Sequence, residues 1–179
     1  MAGLKQPITD ILTQLGTLTV TNSDNQEVTP LIRMWNNQLP HIKDGTTYAM
    51  PLPAIFLEVL TDIEYKTLGE GFKNSDLGIK IHLIFESYHN NTSWEQDLSV
   101  YDLRDKIIQA LTFFKPTSCG GMLFVSESPD FDHDNLYHYT IDFICNFTDS
   151  KGSVYDLGLK YEDIEHPEND LVPQYIIKK

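Results

Sequence analysis

Cysteine is scarce in this chain of 179 residues: only Cys119 and Cys145 occur, without the paired spacing of a zinc site. We expect reduced, buried thiols in a cytosolic setting, with a single disulfide bridge as the alternative. Long apolar runs are also missing, and no stretch approaches the roughly 20 residues that cross a bilayer. The opening segment MAGLKQPITD lacks the basic-then-apolar pattern of a secretory signal. These absences argue against a disulfide-rich scaffold, a zinc finger and a membrane protein.

Basic residues are few as well. The chain has 13 Lys and Arg against 26 Asp and Glu, which gives a formal net charge of −13. Tight binding of nucleic acid needs clustered basic side chains, so it is disfavoured. An acidic wall instead repels phosphates and lets DNA pass without sticking, while simple solubility is the alternative use of this charge. A hydrophobic content of 41% is ordinary for one folded domain.

Two amphipathic helices are predicted, over residues 6–18 and 98–114. Ser99 and Asp102 resemble a capping box at the start of the second helix, and Pro116 is expected to stop it. Their apolar stripes comprise Ile8, Ile11, Leu12, Leu15 and Leu18 in the first helix, and Leu103, Ile107, Ala110, Leu111 and Phe114 in the second.

Strand patterns fill most of the rest. A short strand (or a helical turn) is predicted at 29–36, a buried strand at 54–60, and a hairpin with a flexible glycine-rich tip over 63–78. Residues 78–88 and 136–149 alternate, with His82 expected to be exposed and His138 on a polar face. A further strand is predicted at 119–128. Loops are expected at 21–27, 37–53 and 129–135.

This order of elements predicts an α+β fold: a mainly antiparallel sheet with two helices packed on one face. We assign residues 1–150 to this domain and 151–179 to an acidic, extended C-terminal segment. That segment has little to bury and is expected along the surface or against a neighbour. Its end, QYIIKK, is suited to adding as a strand to an exposed sheet edge.

Two clusters could support metal chemistry. Asp132, His133, Asp134 and His138 offer oxygen and imidazole ligands for a divalent ion, although the same stretch has the composition of a turn. The second cluster is the segment Glu64-Tyr65-Lys66, whose Glu-x-Lys spacing fits half of a divalent-metal nuclease site. Glu58 or Asp44 would supply a further carboxylate. Alternating charges are also normal on an exposed strand. The tip Gly69-Glu70-Gly71 is not a phosphate loop, because no Gly-Lys-Ser/Thr follows it.

The remaining candidates are surfaces for protein recognition. Trp35 is followed by three amides, which combine an aromatic anchor with adaptable hydrogen bonds. Packing of Trp35 in the core is the alternative. The hairpin tip and one C-terminal tyrosine complete the candidate interface: Trp35, Asn36, Asn37, Gln38, Leu68, Gly69, Glu70, Gly71, Phe72 and Tyr175.

Four segments together resemble tail-completion and tail-terminator proteins of tailed bacteriophages and their prophages. They are 35–38 (WNNQ), 53–58 (PAIFLE), 69–71 (GEG) and 79–83 (IKIHL), and the similarity in order and spacing covers residues 5–150.

The resemblance implies an α+β subunit that forms a ring of six or twelve copies, joins the head to the tail or ends the tail tube, and contacts tail-tube or connector proteins. Genomic DNA would pass through the lumen without specific binding, in a virion assembled in the host cytoplasm. The resemblance implies no catalytic residue, no cofactor, no metal and no membrane. The rival hypotheses are a small metal-dependent nuclease or hydrolase, using Glu58–Lys66 or Asp132–His138, and a monomeric binding module.

Overall fold

The computed structural model describes residues 3–21, 26–37, 39, 51–60, 63–86, 98–130 and 136–158. Two longer helices, one helical turn near residue 155 and eight strands lie within these ranges. In chain order they are α1 Lys5–Leu15, β1 Val20–Thr21, β2 Glu27–Val28, β3 Leu31–Met34, β4 Ala54–Val59, β5 Lys66–Thr67, β6 Lys73–Glu86, α2 Ser99–Leu111, β7 Leu123–Asp130, β8 Leu136–Asp149 and α3 Val154–Leu157.

A mixed sheet dominates the molecule, with strand order β3-β4-β6-β8-β7 and the short β5 beside one end of β6. β6 and β8 pair antiparallel along their full length, from Lys73 opposite Asp149 to Glu86 opposite Leu136. β3 and β4 pair parallel, from Leu31 opposite Ala54 to Met34 opposite Leu57, whereas the other strand pairs described in this sheet are antiparallel. β1 and β2 form a separate two-stranded ribbon. The predicted α+β class is confirmed.

The main core lies between the sheet and the two longer helices. Alternation along β6 and β8 directs every second residue toward α1 and α2, so the helices cover one face, as predicted. Burial of each large apolar side chain contributes about 1.5–3 kcal/mol before entropy is counted. The fully buried members include Ile11, Leu15, Leu57, Ile79, Ile81, Leu83, Leu103, Ile107, Leu111, Ile141 and Phe147.

The predicted helix ends need correction. α2 begins at Ser99, so the N-cap position is occupied by Leu98, without a side-chain cap hydrogen bond, instead of by Ser99 as predicted. The helix ends at Leu111, well before Pro116, because the Phe113 amide instead donates a 2.7 Å hydrogen bond to the Met122 carbonyl. That bond turns the chain toward β7. None of the described helices is long and apolar enough to cross a membrane.

Strand boundaries also differ from the predictions. The second arm of the 63–78 hairpin and the 78–88 strand are one continuous strand, β6, because β8 pairs with all of it. β7 starts at Leu123 instead of Cys119, which makes only an isolated bridge to Phe147, and it continues through Pro129 and Asp130 into the predicted turn. The remainder of that turn, most of the 37–53 loop and residues 159–179 lie outside the described residues.

Candidate functional site: a histidine pair beneath Trp35

Trp35 follows β3 and lies across the sheet face that the helices do not cover. Its backbone N–H donates to the Leu57 carbonyl at 2.8 Å, which extends the parallel pairing with β4 by one step. Its indole is half-buried and stacks on His82, with ring centroids 4.0 Å apart and planes inclined by 8°. Phe56 meets the indole edge-on at 5.8 Å. Trp35 is therefore a packed side chain with one exposed side.

A second, smaller core surrounds this tryptophan. The chain is rich enough in apolar residues at one end of β4, β6 and β8 to bury side chains on both faces of the sheet there. The cluster consists of Leu39, Ala54, Phe56, Ile84 and Leu136, with Leu31, Trp35 and Leu52 packed against it.

A chain of hydrogen bonds runs under the indole and crosses four strands. His82 Nε2 lies 3.0 Å from Glu58 Oε2, and His82 Nδ1 lies 2.9 Å from His138 Nε2. His138 Nδ1 lies 3.0 Å from Asp130 Oδ2. Both imidazoles are buried, with exposed fractions of 5% for His82 and 4% for His138. We call these four side chains the histidine relay: Glu58, His82, His138 and Asp130.

The register of the sheet explains this arrangement. His138 stands opposite Ile84, two positions from His82 on the same face, so the two imidazoles are diagonal neighbours. Asp130 is directly opposite His138, and Glu58 is diagonal to His82. All four side chains point to the helix-free face because each occupies the alternate position of its strand.

The two histidines in the middle of the relay are buried, whereas the two carboxylates at its ends are partly exposed to solvent. Burial lowers the pKa of His82 to about 4, with further lowering from His138 and Lys80, while the hydrogen bond to Glu58 acts in the opposite direction. The carboxylates are better solvated, since the side chains of Glu58 and Asp130 remain 36% and 39% exposed. The relay thus joins two solvated anions through a buried imidazole pair.

The structure corrects the prediction that His82 is exposed. Its strand position is on the polar face, but Trp35 and the smaller core cover that end of the face. His138 is buried there for the same reason, and both of its ring nitrogens are engaged within the relay. Its proposed companions Asp132, His133 and Asp134 lie outside the described residues. Among the described residues, no group of three or more His, Cys, Asp or Glu side chains is placed to hold a metal ion.

The nuclease-like cluster is divided between two places. Glu58 belongs to the relay, whereas Glu64 and Lys66 line an open polar groove near the other end of β6, together with Asn74, Asp76 and Asn146. Asn74 and Asn146 exchange amide hydrogen bonds of 2.8 and 2.9 Å across that groove. The described residues therefore do not unite Glu58 with Glu64 and Lys66. Asp44 lies outside them.

The hairpin tip comprises Leu68–Phe72, because β5 ends at Thr67 and β6 begins at Lys73. Gly69–Gly71 form one 3-10 turn in which Glu70 has φ 62°. The tip packs against the start of α3: the rings of Phe72 and Tyr155 are 6.0 Å apart, and a Glu70 hydrogen bond raises the pKa of Tyr155. Of the other interface candidates, Asn36 and Asn37 are exposed, while Gln38 and Tyr175 lie outside the described residues.

The outer edge of β7 exposes apolar side chains that are not among the interface residues predicted from the sequence. Leu123, Phe124 and Val125 are 49%, 40% and 56% exposed, and Phe113 beside them is 70% exposed. The strand is bulged between Phe124 and Ser126, which interrupts the alternation that would have hidden half of these residues. Among the described residues, β7 is the last strand of the sheet on this side, so its outer edge presents backbone as well as apolar side chains.

One solved structure with a similar fold is a chain of the "Virion of native gene transfer agent (GTA) particle". The TM-score is 0.51 with 10% sequence identity, and the match covers 77% of this chain and 91% of that chain. No protein-family model matches the sequence. No curated protein matches it either. The likeness is one of fold: this α+β architecture also occurs in a chain of a virion particle.

Proposed function

We propose that this protein is a structural subunit of a tailed-phage type of virion, forming a ring at the head-tail junction or at the end of the tail tube. The observation that carries the proposal is the shared fold with a chain of the gene transfer agent virion, over 91% of that chain. This likeness is one of architecture, and the support for a ring comes from the edges and the charge of the molecule.

Within the described part of the chain, the sheet ends in two unlike edges, the short parallel strand β3 and the bulged antiparallel strand β7. An association that joins β7 of one copy to a different surface of the next is heterologous, and it closes into a ring when the rotation divides a full turn. The apolar edge of β7, Leu123–Val125 with Phe113, is suited to burial in such a contact because apolar patches on a sheet edge favour association.

The net negative charge of the chain is consistent with a ring whose lumen does not bind DNA. The chain carries a formal net charge of −13, so a ring of six copies carries six times that charge. Such a field repels phosphates, and translocating DNA would slide without specific binding. The tail-tube and connector proteins expected as neighbours belong to this same proposal.

The test is the assembly state of the purified chain, by native mass spectrometry and negative-stain microscopy. We expect closed rings of six or twelve copies that leave a central opening. Leu123→Lys should abolish them, because a buried lysine on the β7 edge costs several kcal/mol. Leu98→Lys is the matched control: Leu98 is 45% exposed at the start of α2, against 49% for Leu123. Loss of rings in both variants would contradict the role of β7.

A strict monomer that also fails to bind purified tail-tube or portal rings would overturn the proposed function. Tight binding of Mg²⁺ or Zn²⁺ together with phosphodiester hydrolysis would support the nuclease hypothesis instead. Both measurements use the full chain.

A further inference from the structure

The histidine relay contains three hydrogen bonds, and each needs one proton between its two heavy atoms. The contacts are 3.0 Å between Glu58 and His82, 2.9 Å between the two imidazoles, and 3.0 Å between His138 and Asp130. Two neutral imidazoles carry only two ring protons, and ionised carboxylates carry none. With two protons, one of the three contacts would place two lone pairs face to face.

We propose that His82 and His138 form a proton-binding site that holds one proton more than two neutral imidazoles, and that this third proton holds Trp35 against the sheet. The proton comes from solvent, and its binding changes the formal charge of the four relay side chains from −2 to −1. This property is independent of ring assembly.

The hydrogen bonds alone do not distinguish the two rings, and within the proposal the additional proton belongs to His138. The pKa of His82 is lowered to about 4, chiefly by burial, so His82 is neutral near pH 7. His82 then donates Nε2–H to Glu58 and accepts at Nδ1, while His138 donates from both nitrogens, to His82 and to Asp130. Trp35 covers both rings, with centroids 4.0 Å from His82 and 5.8 Å from His138, and its π face attracts the imidazolium.

Among the described residues, charged groups in or beside the relay lie on four strands. Glu58 is on β4, Lys80 on β6 beside His82, Asp130 on β7, and Asp142 on β8, 3.9 Å from Lys80. Trp35, which follows β3, contributes an uncharged indole. Loss of the third proton removes the bond between the imidazoles and leaves two buried nitrogen lone pairs in contact. The two imidazoles are then no longer held together in the plane against which Trp35 stacks.

The proton count sets the sign of the pH dependence. In the unfolded chain each histidine has a pKa of about 6.5, so the pair carries two protons beyond the neutral state below that pH and no additional proton above it. The folded site holds one additional proton on both sides of pH 6.5, down to the region of pH 4 where His82 titrates. The contribution of the relay to stability is therefore greatest near pH 6.5. It falls on either side by up to about ten-fold in the unfolding equilibrium constant per pH unit.

The direct test counts protonated ring nitrogens by ¹⁵N NMR of histidine-labelled protein at pH 7.5. His82→Gln and His138→Gln serve to assign the signals. We expect three protonated nitrogens among the four of His82 and His138, with His82 Nδ1 bare. Two protonated nitrogens in the folded protein would overturn the proposal, and this count needs only the wild-type chain if the variants fail to fold.

The coupling to Trp35 is tested in a Trp94→Phe background, which leaves Trp35 as the only tryptophan because the chain contains two. We expect its emission to change at the alkaline pH at which the third proton is lost in the NMR titration. A proton loss that leaves Trp35 emission unchanged would refute the coupling.

Lys80→Gln is the control variant, since it removes a neighbouring charge but none of the three hydrogen bonds. It should keep three protons and the emission change. In His138→Gln the side-chain amide cannot bind the third proton. The free energy of unfolding of this variant, measured with urea from pH 5.5 to 8.5, should therefore not fall above pH 6.5 as it does in the wild type. Persistence of that decline would count against the proposal.

Discussion

Trp35 lies flat on His82, with ring centroids 4.0 Å apart and planes inclined by 8°. This contact joins the edge strand β3 to the middle of the sheet, since His82 belongs to β6, and it covers the buried pair that His82 forms with His138. One residue therefore has two roles: it completes a small core and shields a polar hydrogen-bond network from water. Both roles predict measurable effects.

Trp35→Ala should leave a folded protein that is less stable. The main core on the opposite face is untouched, while the loss of a half-buried indole costs about 2–4 kcal/mol, somewhat below the value for a fully buried tryptophan. Urea unfolding at pH 6.5 measures it. Trp35→Phe keeps an aromatic plane and should recover at least half of the loss. A Trp35→Ala protein as stable as the wild type would show that the stack contributes nothing.

Arg104 is expected to stabilise the folded protein through its ion pair with Glu127. Its Nε and Nη2 donate to the two carboxylate oxygens at 2.7 and 2.6 Å, and this pairing lowers the pKa of Glu127. A lowered carboxyl pKa gives stability that is present above the unfolded value and is lost as pH falls through the folded value. Arg104→Met should cost about 1–2 kcal/mol at pH 7 and much less near pH 3.

The comparison for this pair is Asp105→Asn. Asp105 contacts the same guanidinium at 2.6 Å, but its side chain is 68% exposed, so its removal should change stability by less than about 0.5 kcal/mol. Equal losses from both variants would contradict the bidentate pairing as the dominant contact.

The hairpin tip offers a matched pair of glycines. Gly71 has φ 81°, and an added Cβ would lie 3.1 Å from the Gly152 carbonyl oxygen. Gly71→Ala should cost about 1–3 kcal/mol because of strain and crowding against fixed backbone. An added Cβ on Gly69 meets nothing within 4 Å, so Gly69→Ala should be close to neutral. Thermal unfolding of both variants measures the difference, and equal midpoints would show that the tip does not dock on residues 152–153.

Cys119 and Cys145 should react slowly with a thiol reagent in the native protein. A hydrogen bond between the two thiols raises the pKa of Cys119, and Cys145 is buried. Because the thiolate is the reactive form, we expect Cys119 to react first but more slowly than free cysteine, and Cys145 only on unfolding. Cys145→Ala removes the partner and should speed the reaction of Cys119; no change in that rate would contradict the contact.

The sheet and helices were largely predictable. β8 was predicted at its observed bounds because alternation over fourteen residues has one interpretation when one face is buried. Helix ends were less accurate, since Ser99 has the composition of a cap but the chain enters the helix one residue earlier, at Leu98. Local sequence also could not reveal the parallel pairing of β3 with β4, because it depends on the path of the intervening chain.

The histidine relay was not predictable from any local pattern. His82 and His138 are 56 residues apart, and each occupies a position that its own strand marks as polar and exposed. The available signal was weak: two histidines on polar positions of two strands that pair. The sequence by itself determined which residues point to each face of the sheet, because side chains alternate along a strand. Only the tertiary structure decided that Trp35 covers part of the polar face, since that depends on where β3 pairs and on what its end can reach.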